Sequence, residues 1–254
     1  MSNRFSGALV TIFMMVAALP AAAGGVVSIS GDAIIFDAGS GDVNTIVVNG
    51  NGAAFDQSTG QFVTGITISD TTSLLSANGP CFVVTGTAIC QVSTVSRAII
   101  RTGNRDDVVS LTFNGDGPLL QMIVDGGLGD DTITGGPAAD TLDGGAGNDR
   151  IDGGDGDDVI NGGAGNDTIN GGRNDDHLFG NAGTDIINGN GEADEIDGGI
   201  GDDIIDGGQG ADVIRGDLGA DRISGRDGFV DNINCGVGRD ETNVDANDIV
   251  KRCE

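Results

Sequence analysis

Apolar and polar residues are arranged in two ways along the chain, and the change falls near residue 125. Between Gly24 and Val124 the apolar residues come in short runs rich in Val, Ile and Thr, at 26–30, 33–37, 45–49, 62–69, 81–85, 98–102 and 108–113. No 3.6-residue period links them, and Gly, Asn, Asp and Pro separate them, which predicts short strands and no helix. From Gly126 onward one apolar residue returns at every ninth position, from Ile133 and Leu142 to Ile223. An extended three-residue segment with a central apolar side chain sends that side chain to one face and its neighbours to the other. Two such segments per coil, facing each other across a narrow core, make the expected architecture all-β.

The nine-residue unit repeats eleven times without a gap over residues 126–224, from GGLGDDTIT to GDLGADRIS. Its first position is always Gly and its eighth always Ile or Leu. The sixth is always Asp: Asp131, Asp140, Asp149, Asp158, Asp167, Asp176, Asp185, Asp194, Asp203, Asp212 and Asp221. Glycine adopts positive φ without steric cost, so the glycines are expected to turn the chain tightly and aim successive carbonyls at one point. The Asp adds a carboxylate, completing the all-oxygen surroundings that a hard cation such as Ca²⁺ prefers.

The unit resembles GGxGxDxUx, the RTX (haemolysin-type) calcium-binding nonapeptide. The resemblance implies a right-handed parallel β-roll, a form of β-solenoid, with two nonapeptides per coil. It implies several calcium ions, each between a turn and the turn one coil further on. Their ligands would be turn carbonyls and the eleven sixth-position carboxylates. The chain departs from the best-known RTX members in its N-terminal leader and its four cysteines, so toxin activity and leaderless export are not carried over.

Charge explains why a metal matters. The formal balance is −27, and without Arg4 of the leader 11 basic residues face 39 acidic ones, or −28. Such a chain repels nucleic acid and anionic membranes and attracts cations. Residues 125–224 hold 24 acids against four Arg. Carboxylates stacked at the strand spacing of about 4.8 Å repel by about 3 kcal/mol per neighbouring pair at an effective dielectric near 20. Several such pairs exceed a typical folding free energy of about 5–15 kcal/mol, so the roll is expected to fold on binding calcium.

Alternate repeats fall on opposite edges. In the odd copies the fourth position is Gly throughout, whereas the even copies carry Ala138, Gly156, Asn174, Glu192 and Gly210. Fuller calcium occupancy is expected on the odd edge. His177, at a seventh position, should point outward. Asp143, Asp152, Asn161 and Asn170, at ninth positions, read as outer ligands or as solvated turn residues.

Four segments follow. Residues 1–23 read as a signal peptide: Arg4, an apolar stretch from Ala8 to Leu19, and Ala21-Ala22-Ala23 before a cut at Gly24. Residues 24–124 form a β-rich N-terminal region, either a cap on the solenoid or a separate small β-sandwich. Residues 125–233 form the β-roll, whose last copy has one extra residue before Asp231. Residues 234–254 form a C-terminal cap. Residues 103–109 echo 127–133 at an interval of 24, which predicts an irregular coil with a six-residue insertion. Cys81, Cys90, Cys235 and Cys253 suggest two disulfides in an exported chain. Three connectivities are open, and pairing of sequence neighbours is the natural choice.

These features describe a secreted, non-enzymatic calcium-binding protein, a structural, surface or adhesion component with a cell-surface or matrix partner. The alternative is a small secreted hydrolase carrying the roll as a tail. HExxH and GxSxG are absent and no His precedes the repeats. Acids such as Asp32, Asp37, Asp42, Asp56 and Asp70 show no catalytic pairing. Zero Trp and zero Tyr argue against stacking on sugars.

Overall fold

The computed structural model describes residues 97–112 and 120–253, and before Arg97 the strands between Val26 and Cys90 without their connections. The expected signal peptide lies outside the described residues. Seven strands come first: β1 (Val26–Ser30), β2 (Ala33–Asp37), β3 (Thr45–Asp56), β4 (Gln61–Asp70), β5 (Ser76–Ala77), β6 (Cys81–Val84) and β7 (Thr87–Cys90). β1 and β2 pair antiparallel, as do β3 with β4, β4 with β7, and β6 with β7. β2 and β3 then pair in parallel with β8 (Arg97–Arg101) and β9 (Val108–Thr112).

From there every pairing is parallel. β10 (Gln121–Asp125) adds to β8, and β11 (Thr132–Gly136) to β9. Strands then alternate between two sheets, with β12 (Thr141–Ala146) on β10 and β13 (Arg150–Asp155) on β11. The alternation ends at β22 (Asn232–Asn234), β23 (Glu241–Val244) and β24 (Ile249–Lys251). Among the described residues the result is two twelve-stranded sheets, each continuous from the N-terminal strands to the tail, which form a parallel β-solenoid from β2 and β3 onward. The expected irregular coil is present, since Arg97 lies opposite Gln121 and Val108 opposite Thr132, both 24 residues apart, before the offset settles at 18.

The strands are longer than the three-residue segments read from the sequence. β13 carries Arg150-Ile151-Asp152 and also Gly153, Gly154 and Asp155 of the next repeat. Side chains alternate along this length, so the sixth-position Asp, the eighth-position aliphatic and the following first-position Gly all face inward: Asp149, Ile151 and Gly153 are buried, while Arg150 is exposed. The inward aliphatics stack in columns. One runs Phe36, Ile100, Val124, Leu142, Ile160, Leu178, Ile196, Ile214 and Ile233, each at most 2% exposed. The other runs from Val109 and Ile133 to Ile223. Two aliphatic side chains per 18 residues make a thin core, so burial contributes little per coil.

The first-position glycine has a different reason from the one expected. Positive φ falls on the second and fourth positions, as at Gly145 (99°) and Gly147 (147°), and on no first position. The first glycine is required for space. A Cβ on Gly126 would lie 2.5 Å from Asp131 Oδ2 and 2.5 Å from the Gly144 carbonyl oxygen of the next coil. An inward residue stacked so closely beside an inward carboxylate has room only for hydrogen.

Candidate metal centre

The sixth-position aspartates form two buried columns, one along each edge of the solenoid. All eleven are at most 2% exposed. Each carboxylate reaches back one coil, where its Oδ1 accepts the amide N–H of the preceding aspartate in its column, or at Asp140 that of Met122. Asp149 accepts from Asp131, Asp167 from Asp149 and Asp185 from Asp167, at 2.7–2.8 Å. Asp158, Asp176 and Asp194 continue the other column at 2.7–2.9 Å. The Oδ2 atoms are buried without a hydrogen-bond partner at ten of the eleven positions. Asp140 is the exception, its Oδ2 accepting from the Gly136 N–H at 2.7 Å. A buried carboxylate oxygen left unpaired is costly unless something positive meets it.

Burial raises these carboxyls, and at all but Asp140 and Asp185 neighbouring carboxylates add to the shift. Asp158 and Asp194 are pushed up to about 8, Asp131 to about 7, and Asp140, Asp167, Asp176, Asp203 and Asp221 to about 6. Asp149, Asp185 and Asp212 are raised for the same leading reason, loss of solvent. Among the described residues no three Asp, Glu, His or Cys side chains are grouped to hold a metal ion by themselves. A cation held at either column would need backbone carbonyls as further ligands.

The two edges differ. On the odd edge every fourth-position N–H donates to the third-position carbonyl of the next coil: Gly129 to Ala146, Gly147 to Ala164, Gly165 to Ala182, Gly183 to Ile200, Gly201 to Leu218 and Gly219 to Val237, at 2.8–3.1 Å. On the even edge only Gly156 does so, to Arg173 at 3.1 Å. Asn174 instead donates to Glu192 Oε2 at 2.6 Å, and Gly210 to Asp227 Oδ2 at 2.7 Å. Asn174 and Glu192 adopt φ of 77° and 73°, whereas the odd-edge glycines lie between 125° and 155°.

Residues 125–160, 152–187, 161–196, 179–214 and 197–229 match the family described as the RTX calcium-binding nonapeptide repeat (4 copies). Residues 125–229 are RTX repeats. No curated protein and no solved structure matches the chain. RTX nonapeptides bind calcium, and the residues present fit that ion: the donors are hard oxygens, and ten of the eleven RTX aspartates hold an unpaired buried oxygen.

The other residues singled out in the sequence sit elsewhere. His177 is exposed on the outer face, its Nε2 3.5 Å from Glu195 Oε2. The ninth-position residues are neither turn residues nor part of the buried columns. They lie on the strands' outer faces and bond along the stack, Asn161 Nδ2 donating to Asp143 Oδ1 at 2.9 Å and Asn170 Nδ2 to Asp152 Oδ1 at 3.0 Å. Cys235 and Cys253 form a disulfide. The strand register sets Cys81 opposite Cys90, while their side chains lie outside the described residues. The columns also contain aspartates that the nonapeptide pattern missed. Asp107 and Asp231 are fully buried, and Asp240 and Asp248 accept the N–H of Asp221 and Asp231 at 3.1 and 3.2 Å. Irregular spacing hid Asp240 and Asp248, while the echo at 103–109 pointed to Asp107 and the distorted copy with its extra residue pointed to Asp231.

Proposed function

We propose that this chain is a secreted, non-enzymatic protein whose roll folds when it takes up several calcium ions and then serves as a structural, surface or adhesion component. The column of buried aspartates with unpaired Oδ2 atoms carries the reading. Two rows of ionised carboxylates inside so thin a core repel one another unless bound cations neutralise them. The ligands proposed are the eleven aspartates from Asp131 to Asp221 together with turn carbonyls, with fuller loading of the odd edge, where the turns repeat without interruption. Residues 24–124 act as the N-terminal cap and residues 234–254 as the disulfide-closed C-terminal cap. The apolar leader and the Cys235–Cys253 bond support an exported protein.

The test is calcium titration by calorimetry on the chain from Gly24 onward, with far-ultraviolet circular dichroism beside it. In chelator the spectrum should be largely that of an unfolded chain, and calcium should convert it to β. A β spectrum that ignores the chelator would end the folding claim. No uptake at millimolar calcium would end the functional reading itself.

A further inference from the structure

The match to RTX repeats spans residues 125–229, but the geometry of the odd edge does not stop there. The first odd-edge gap within the repeats has a signature of five hydrogen bonds between its stacked turns. In the gap between residues 126–131 and 144–149, Ala146 N–H donates to Gly127 O, Gly129 N–H to Ala146 O and Arg150 N–H to Asp131 O, each at 2.8 Å. Asp131 N–H donates to Asp149 Oδ1 and Asn148 N–H to Asp130 Oδ1, each at 2.7 Å.

All five recur one coil earlier, across a 24-residue interval. Leu128 N–H donates to Gly103 O at 2.9 Å, Arg105 N–H to Leu128 O, and Thr132 N–H to Asp107 O at 2.8 Å. Asp107 N–H donates to Asp131 Oδ1 at 2.7 Å and Asp130 N–H to Asp106 Oδ1 at 3.1 Å. Gly103 and Arg105, with φ of 96° and 93°, take the left-handed places of Gly127 and Gly129. Into this gap reaches the carboxyl of Asp131, 2% exposed and with Oδ2 unpaired.

Four of the five recur at the other end. Val237 N–H donates to Asp217 O at 2.7 Å, Gly219 N–H to Val237 O at 3.1 Å, Glu241 N–H to Asp221 O at 2.7 Å, and Asp221 N–H to Asp240 Oδ1 at 3.1 Å. The fifth is missing because Ala220 has no side-chain oxygen to offer. A Cβ on Gly216 would lie 2.5 Å from both Asp221 Oδ2 and the Cys235 carbonyl oxygen, as one on Gly126 would from Asp131 Oδ2 and Gly144 O. Into this gap reaches the carboxyl of Asp240, whose Oδ1 accepts the Asp221 N–H and whose Oδ2 is buried without a partner.

We propose that the turns at residues 102–107 and 235–240, outside the matched repeats, each extend the odd-edge row by one calcium site. This rests on the calcium reading of the repeats themselves. The row then runs from the irregular coil to the disulfide-bonded one, so metal binding ties both flanking segments to the roll.

Crystals of the full chain grown with terbium in place of calcium test the proposal through anomalous scattering. Peaks are expected between residues 103–107 and 127–131 and between 217–221 and 236–240, in line with those of the repeats. Peaks confined to the repeats would overturn the extension and leave the calcium reading intact; no peaks at all would remove both. In solution, calcium titration by calorimetry should show that Asp240→Asn binds one ion fewer than the wild-type chain, as Asp167→Asn does within the repeats. An unchanged count for Asp240→Asn beside a reduced one for Asp167→Asn would sink the C-terminal site. If Asp240→Asn fails to fold, the anomalous map of the wild-type chain decides.

Discussion

Cys235 stands where the eleven repeats have their first glycine, and its bond to Cys253 ties the last two coils together. Cys235 is fully buried, and its N–H donates to Lys251 O at 3.0 Å, so the disulfide closes over the end of the core. β23 and β24 beyond it are mostly exposed edge strands, the kind of end that pairs with other chains unless it is held in place. Replacing both cysteines by Ser should lower stability in calcium by about 3 kcal/mol, the closure entropy of a loop this size. Hydrogen exchange should show the loss in residues 241–251 first. Equal loss of protection along the whole roll would mean the bond has no local capping role.

The raised carboxyls make a prediction about pH for the metal-free chain. An aspartate held at about 6–8 when folded and near 3.9 when unfolded binds more protons in the folded state between those limits. Its contribution to stability is fully present below about pH 4 and is lost as pH rises through the folded value. In chelator, β structure should therefore increase from pH 8 to pH 4. With calcium the direction reverses, because the ion competes with protons for the same oxygens and binds more tightly as they leave. Circular dichroism at both pH values, with and without calcium, measures this. Chelated protein that is more ordered at pH 8 than at pH 4 would contradict it.

The roll was legible in the sequence because each of its periodicities has one physical cause. Inward alternation fixed Asp131, Ile133 and their counterparts, and the stacking of identical coils fixed the nine-residue period. The interval of 24 at residues 103–109 was equally readable, since the turn repeats within the chain while the inserted residues are not part of it. The pattern could not show which glycine is left-handed and which is merely small, because Gly126 and Gly127 read alike until the next coil's carbonyl is placed above them. Nor could it show Asp240 and Asp248 joining the columns. Their spacing from Asp221 and Asp231, 19 and 17 residues, breaks the period that identified the others.

The two kinds of glycine should respond differently to alanine. At Gly162, whose φ is ordinary, a Cβ would lie 2.5 Å from Asp167 Oδ2, so Gly162→Ala should displace that carboxylate and weaken calcium binding at one site. At Gly228 φ is 98° but nothing lies within 4 Å of a Cβ. Gly228→Ala should cost only the left-handed strain, about 1–2 kcal/mol, with the calcium count unchanged. Calorimetric stoichiometry and denaturant midpoints separate the two. A calcium count lowered by Gly228→Ala but not by Gly162→Ala would reverse the assignment of roles.

The edges should also load unequally. Asp167 and Asp176 occupy equivalent places on opposite edges, and both are buried with an unpaired Oδ2. Around Asp167 the fourth-position glycines Gly147, Gly165 and Gly183 carry an unbroken series of coil-to-coil backbone bonds. Around Asp176 that series is broken, since the Asn174 N–H is already taken by the Glu192 carboxylate. A turn held by its neighbour's backbone presents its carbonyls in fixed positions, so an ion bound there loses more when a carboxylate is removed. Asp167→Asn should raise the calcium concentration needed for folding by about tenfold, the effect of about 1.4 kcal/mol, and Asp176→Asn by clearly less. Parallel calcium titrations of the two variants followed by circular dichroism decide the matter, and equal shifts would show that the two edges hold the ion alike.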